Sequence, residues 1–356
     1  MKKRLVPWLA ACLLLTGCSG LPAAREMGDM ALLRAMGIDT APGGVAVTGS
    51  TGPRAKGVQS EEEPALTLSA DQESLSGACL AMQGQSDSYV FFGYVDQLLI
   101  GEELAKRDIQ PVLDYFARDR ELGLGAQLWL VRGSTARKAV FSGGDEGIDQ
   151  RLETLRTDSE MGITHLTRTA RELYADLLEG GSSFAPALSL AGGTLTETGY
   201  GIFKNFALAG FLDGEAARGL ELLQGGPSAH ILETGTSDNK VSVKVISART
   251  KSDLRFRGDV PSSLELTCKI EARMSEYQRP PGPKELEYLR SEAEDREQAR
   301  LEAALEQLRS WGADCTGLGA KAAMSHPTQW QKIQSDWPAW FSRLPIEIRV
   351  QIKLDS

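Results

Sequence analysis

Between Tyr89 and Ile100 the chain runs almost without interruption through aromatic, β-branched and aliphatic side chains. Such a run has no polar face. As a strand it has to be covered on both sides, which is the environment of a sheet interior. Helical signals follow at once. One helix is expected from about Glu102, and a second carries Pro111 in its first turn with Val112, Tyr115 and Phe116 on one face. Gln127 to Val131 reads as the next strand. Strand, helix and strand in that order form a parallel unit with a right-handed crossover.

Upstream of this unit, Ala31 to Ile38 is an apolar segment that ends at Asp39. Residues 41–64 are rich in Gly, Pro, Ser and charge, with only Val45 to Thr48 strand-like, so a loop is expected. Ser69-Ala70-Asp71-Gln72 has capping-box spacing, and Leu75, Cys79 and Met82 follow at helical intervals. Downstream, Leu166, Ala170, Leu173, Tyr174 and Leu177 mark a helix that stops at Gly180-Gly181. The pattern changes there and places a boundary near 180–184. Paired short strands over 193–212 and a helix from Gly214 to Gln224, N-capped by Asp213, make a small unit that ends near 236.

The last unit alternates. Val241, Val243 and Val245, then Leu264, Leu266, Cys268 and Ile270, and finally Ile346, Ile348, Val350 and Ile352 are separated by polar residues. Glu285 to Trp311 is a long charged helix with Leu286, Leu289, Ala293, Ala304, Leu308 and Trp311 near one face. The expected architecture is mixed α/β to α+β. It has three consecutive domains, 25–180, 185–236 and 238–356, each a mixed sheet with packed helices, after a lipidated N-terminus.

The N-terminus gives the address. Lys2, Lys3 and Arg4 precede a short apolar stretch from Leu9 to Leu15, too brief to span a bilayer, so residues 1–17 have the form of a secretory signal. The stretch closes on Leu15-Thr16-Gly17-Cys18, which looks like the lipobox of bacterial lipoproteins. Cleavage there needs small residues before the cut and a thiol at it. It would leave Cys18 as a diacylglyceryl thioether, followed by a tether over 18–24. A two-chain anchor holds stably. The net charge of −9 becomes more negative once the leader is removed, so an anionic lipid surface is expected to repel the body weakly.

Composition removes several classes of function. At 42% hydrophobic residues the chain is not disordered, and an acidic balance is the wrong sign for neutralising nucleic-acid phosphates. Three histidines, His165, His230 and His326, stand at no metal-ligand spacing. Gly123-Leu124-Gly125 lacks the third glycine and the Lys-Ser/Thr of a phosphate loop, and no Gly-x-Ser-x-Gly elbow is present. No catalytic group, cofactor or metal is therefore expected. Cys79 and Cys268 sit among apolar neighbours and read as buried small hydrophobes, with a Cys268–Cys315 bridge left open. Trp330, Ile333, Trp337, Trp340 and Phe341 concentrate aromatic area near the C-terminus. Core packing is the reading preferred over a membrane interface or a partner surface.

Several stretches resemble one family. Phe91-Phe92-Gly93-Tyr94-Val95-Asp96-Gln97-Leu98-Leu99-Ile100-Gly101-Glu102-Glu103-Leu104-Ala105 is similar to the central motif of the Ger(x)C spore germination lipoproteins, and Pro111 to Asp119 continues it in register. Gly201-Ile202-Phe203-Lys204, Ala209-Gly210-Phe211-Leu212 and Arg218-Gly219 resemble the middle segment. Gly317-Leu318-Gly319, Pro327 with Trp330, and Trp337 with Phe341 resemble the closing one. Three places depart from the pattern: Ser19-Gly20-Leu21-Pro22 after the lipid cysteine, the loop 50–64, and Asp314-Cys315 where the family tends to have an aromatic before its glycines. The resemblance implies a C subunit of a germinant receptor. Such a subunit is a three-domain α/β lipoprotein on the outer face of the spore inner membrane, without enzymatic activity, working with an integral A subunit and a transporter-like B subunit.

Two other readings compete. A solute-binding lipoprotein of a transporter calls for two similar lobes and a hinge, and a cell-envelope hydrolase calls for a nucleophile or base in a pocket. Within the leading reading, the acidic helix 284–309 is the candidate docking face, with Glu292 and Glu294 as its contact residues.

Overall fold

The computed structural model describes residues 30–55, 62–236 and 239–355, so the signal, Cys18 and the tether lie outside the described residues. β1 (Met30–Ala41) and β2 (Gly44–Thr51) form an antiparallel hairpin. A two-residue ribbon, β3 (Arg54–Ala55) with β4 (Glu62–Glu63), leads to β5 (Thr67–Gln72), which pairs antiparallel with β2. Much of the expected loop is therefore sheet. The helix α1 (Leu75–Gln83) is capped by Ser74, whose hydroxyl accepts from Gly77 N at 3.1 Å. Ser69, at the start of the capping-box spacing, instead bonds across the sheet to the Thr48 hydroxyl at 2.9 Å.

The apolar run beginning at Tyr89 is two strands rather than one. β6 (Tyr89–Phe91) and β7 (Gln97–Gly101) both lie parallel beside β1, with a turn between them. Gly93 is in that turn, and the nearest atoms a Cβ would meet are those of the Phe91 ring, 2.6 Å away. All five residues of β7 are buried, as its composition requires. α2 (Glu102–Arg107) and α3 (Gln110–Arg118, with Pro in its first turn) then lead to β8 (Gln127–Arg132), parallel to β7. Asp39 joins β1 to α4 (Ala136–Phe141): its two carboxylate oxygens accept from Ala136 N and Arg137 N, both at 2.8 Å. Gly101 makes room for it, because a Cβ there would lie 1.9 Å from the Asp39 Oδ1.

After α5 (Asp149–Glu160), α6 (Ala170–Gly180) opens on a Thr169/Glu172 capping box and ends at Gly181 in the left-handed conformation. β9 (Ser182–Ala191) follows and pairs parallel with β8, while β10 (Thr194–Lys204) and β11 (Ala207–Leu212) continue antiparallel. The boundary expected near 180–184 thus falls inside one continuous sheet, ordered β11-β10-β9-β8-β7-β1-β2-β5 with β6 beside β1. Its four central strands, β1 and β7 to β9, are parallel, and antiparallel hairpins close both margins. α4 and α5 pack on one face over Trp129 and Val131, and α1, α3 and α6 pack on the other over Leu98, Ile100 and Leu130.

α7 (Gly214–Gln224) leaves β11 for the second sheet. β12 (Gly226–Pro227) and β13 (Ile231–Thr236) lie along one edge of β14 (Asn239–Arg257), which forms a long hairpin with β15 (Val260–Tyr277). α8 (Pro283–Trp311) covers one face of this sheet. α9 (Leu318–Ser325), α10 (Pro327–Ile333) and α11 (Trp337–Arg343) close that layer before β16 (Ile346–Asp355) joins β15 in parallel. Ile333, Trp337 and Phe341 are buried in this core and Trp330 and Trp340 pack against it, so the aromatic cluster is structural. Among the described residues no helix is long and apolar enough to cross a membrane.

Candidate functional site

The place where chemistry concentrates is the seam between the two sheets. Phe184, Tyr200, Ile202 and Leu212 from the first sheet share one apolar cluster with the inward residues of the second. α7 crosses α8 at Gly219, where a Cβ would stand 2.0 Å from the Arg300 carbonyl oxygen and 2.7 Å from Ala304 Cβ. The two helices meet there at backbone distance.

Two sets of buried charges flank that crossing. In the first, the Tyr200 hydroxyl donates to Glu221 Oε1 at 2.8 Å and accepts from Leu166 N at 2.7 Å. Arg218 Nη1 donates to the other Glu221 oxygen at 2.6 Å. His165 lies with its Nδ1 3.2 Å from Glu221 Oε1, close enough for attraction but not aligned as a hydrogen bond. Burial alone would push the Glu221 carboxyl up, and the His165 and Arg218 partners outweigh it, holding Glu221 below its ordinary value. Burial and the Glu221 charge drive the Tyr200 phenol well above its ordinary value, so it remains a donor.

In the second set, His230 is held by the Ser228 hydroxyl on Nδ1 and by Glu297 Oε1 on Nε2, both at 2.9 Å. Arg300 Nη1 donates to the same Glu297 oxygen at 2.8 Å, and Arg300 Nε reaches Glu215 on α7. Glu297 and Arg300 are buried, and a buried pair of this kind fixes register more than it adds stability.

The candidate docking residues behave the same way. Glu292 accepts from Gly235 N at 3.1 Å and from the Thr234 hydroxyl on β13, and Glu294 accepts from Ile352 N on β16 at 2.9 Å. Both carboxylates are used inside the chain, pinning α8 to the two margins of its sheet. Reversing their charge would break intrachain contacts, so that change cannot report on a partner. The acidic helix that reads as half wet in sequence is tied down by its charges, because the edges of the sheet offer backbone and hydroxyl donors that a linear pattern does not display.

A cleft of about 1390 Å³ opens where Ala248, Ile270 and Ile352 stand in register across β14, β15 and β16. The first turns of α8, with Leu286 and Arg290, line it, as do Arg249 and Lys269. Among the described residues no group of three or more His, Cys, Asp or Glu side chains is placed to hold a metal ion. His165, His230 and His326 are far apart in role: two belong to the seam, and His326 lies 3.6 Å from Asp253. Cys79, Cys268 and Cys315 are free thiols, so the bridge left open by the sequence is not formed. Asp314, one of the departures from the family pattern, gathers the closing segment. Its carboxylate accepts from Leu318 N (2.9 Å), Gly319 N (2.6 Å) and Trp337 Nε1 (2.9 Å).

What the fold and its seam define is a mixed α/β body of two unlike sheets with a shared core. The N-terminal domain model of spore germination proteins matches residues 23–190, and the model described as spore germination B3/GerAC like, C-terminal, matches residues 198–356. The chain belongs to this GerAC-like family of spore germination proteins. It is similar to spore germination protein B3 of Bacillus subtilis (strain 168), with 23% identity over 284 residues that cover 75% of each chain. The crystal structure of the GerBC protein shares the fold, with a TM-score of 0.61 at 18% identity over 90% of this chain and 97% of that one.

Proposed function

We propose that the protein is a non-catalytic lipoprotein subunit of a spore germinant receptor, anchored through Cys18 and acting by assembly with integral membrane A and B subunits at the outer face of the spore inner membrane. The observation that carries this reading is the family match over both halves of the chain, which spans the seam as well as each sheet. The chemistry of the seam supports it. Its titratable groups close on one another, joining β10 to α7 through Tyr200 and Glu221 and α7 to α8 through Glu215 and Arg300. The lipobox at Leu15 to Cys18 supports the anchor, and tethering to a thin layer raises the effective concentration of the body towards integral partners.

The test is co-purification from detergent. The tagged chain should recover A-type and B-type subunits, and Cys18→Ala should leave a folded body that no longer fractionates with membranes when those subunits are absent. Failure of the wild type to recover either subunit would refute the assembly. A rise in melting temperature with a small nutrient would move the reading to a solute-binding lipoprotein, with the cleft as its site.

A further inference from the structure

We propose that the solvent face of the C-terminal sheet docks onto anionic phospholipid and lays the body of the protein against the membrane. β14, β15 and β16 send alternate residues into the core beneath α8 and the intervening ones to solvent. On the solvent side Lys244 stands directly opposite Arg273, and Arg249 directly opposite Lys269. Lys251 and Arg349 extend the band on either side of Thr267. Like charges directly across a ladder destabilise a sheet. Glu271 stands on the same face between Lys269 and Arg273, opposite Ser247, whose hydroxyl donates to it at 3.3 Å, so the two pairs leave the band with a cationic excess.

The rest of that face shows what pairing looks like when it occurs. Arg255 is bidentate to Glu265 at 2.8 Å and Lys353 lies 3.3 Å from Asp355, whereas the six band cations have no ion-pair partner among the described residues. Five of the six are exposed and Lys244 is half-buried. The margin of the band is apolar. Ile246 is the extra residue of a bulge between Val245 and Ser247, and Ile231 is the cross-strand partner of Lys244; they are 43% and 54% exposed.

The occupant follows from this distribution. The cations are spread over three strands, roughly 10 Å across at ordinary strand spacing, and none is fixed by a side-chain partner. They match a planar, diffuse negative charge better than one acidic peptide. Exposed aliphatic residues beside basic ones suit an interfacial layer. Net acidity does not oppose this, because attraction near a surface depends on the charges within a Debye length of it.

The proposal rests on the membrane address argued above, and its test separates the two. The chain from residue 19 onward lacks the anchor and retains all three apolar clusters, whose buried residues lie within 31–352. It should bind vesicles of phosphatidylcholine with phosphatidylglycerol, release as salt is raised, and ignore vesicles of phosphatidylcholine alone. The double variant Arg249→Glu/Arg273→Glu should lower vesicle affinity about tenfold or more. Its melting temperature should hold or rise, because both like-charge pairs become opposite-charge pairs. Wild-type chain that ignores the anionic vesicles, or a double variant that binds them equally well, overturns the proposal. If instead the double variant loses only its co-purification with membrane subunits, the face belongs to an acidic protein partner. Anchoring through Cys18 is read separately, by fractionation of the lipidated chain.

Discussion

Gly219 is the point at which the two sheets can be pushed apart by a single methyl group. A Cβ at this position would lie 2.0 Å from the Arg300 carbonyl oxygen, and that atom is backbone, held in the middle of α8. The helices must separate or shift, which opens the contacts of Leu220, Leu223, Leu301 and Leu305 in the shared core. Overpacking of this kind costs about 1–3 kcal/mol, and a clash against backbone belongs at the upper end. Against it stands the better helix propensity of alanine, which returns about 1 kcal/mol in a helix interior. The net expectation for Gly219→Ala is a loss of about 2 kcal/mol, measured from the urea midpoint at constant m-value. Gly180→Ala is the internal reference. It is the same chemical change at the end of α6, where a Cβ would meet nothing within 4 Å, and it should be neutral or slightly stabilising. If the two variants shift the midpoint equally, the close crossing of α7 and α8 is wrong.

Other perturbations probe the buried polar groups. Glu221 has a carboxyl held below its ordinary value in the fold, so its stabilisation is present above the unfolded value and is lost as pH falls through the folded one. Glu221→Gln should therefore cost about 1–3 kcal/mol at pH 7 and flatten the fall in urea midpoint below about pH 4.5; an acid limb as steep as that of the wild type would refute the assignment. Burial pushes the Cys79 and Cys268 thiols up to about 11 and the Cys315 thiol higher still, so at pH 8 a thiol reagent should leave all three unlabelled in native protein and label them once urea unfolds it.

The sequence is most legible where one residue type has one use. Pro111 marks the first turn of α3, Gly180-Gly181 stops α6, and the alternating residues named between Val241 and Ile352 face the core of the second sheet, whereas Ala248, beyond the Ile246 bulge, does not show in the pattern. It is least legible where a polar residue has two uses. Ser69 has the spacing of a helix cap but serves a margin strand, because its hydroxyl bonds equally well across a ladder. Ser182 and Ser183 follow two glycines and look like a linker, yet both are buried at the start of β9, where the Ser183 hydroxyl donates to Asp176 at 2.8 Å. The charges of α8 look like a wet face for the same reason. Glu297 finds His230, 67 residues away, and nothing in the local pattern announces that pairing. The long-range closure of charges into a seam is not legible in the sequence, since it depends on where α7 crosses α8.

The antiparallel join of β9 to β10 also bears on how genes for such a protein can be shuffled. The two family models abut between residues 190 and 198, at the turn linking those strands. A recombination event there looks clean on paper, but it would graft the β10 of one parent onto the β9 of another. Ten paired positions, from Ser182–Lys204 to Ala191–Thr194, would have to fit at once, together with a bulge between Glu197 and Gly199. A mismatch leaves ladder edges open to pairing with other chains. The halves are therefore expected to be inherited as a block, and the same holds for a crossover at Gly258-Asp259, which would divide the still longer ladder of β14 with β15.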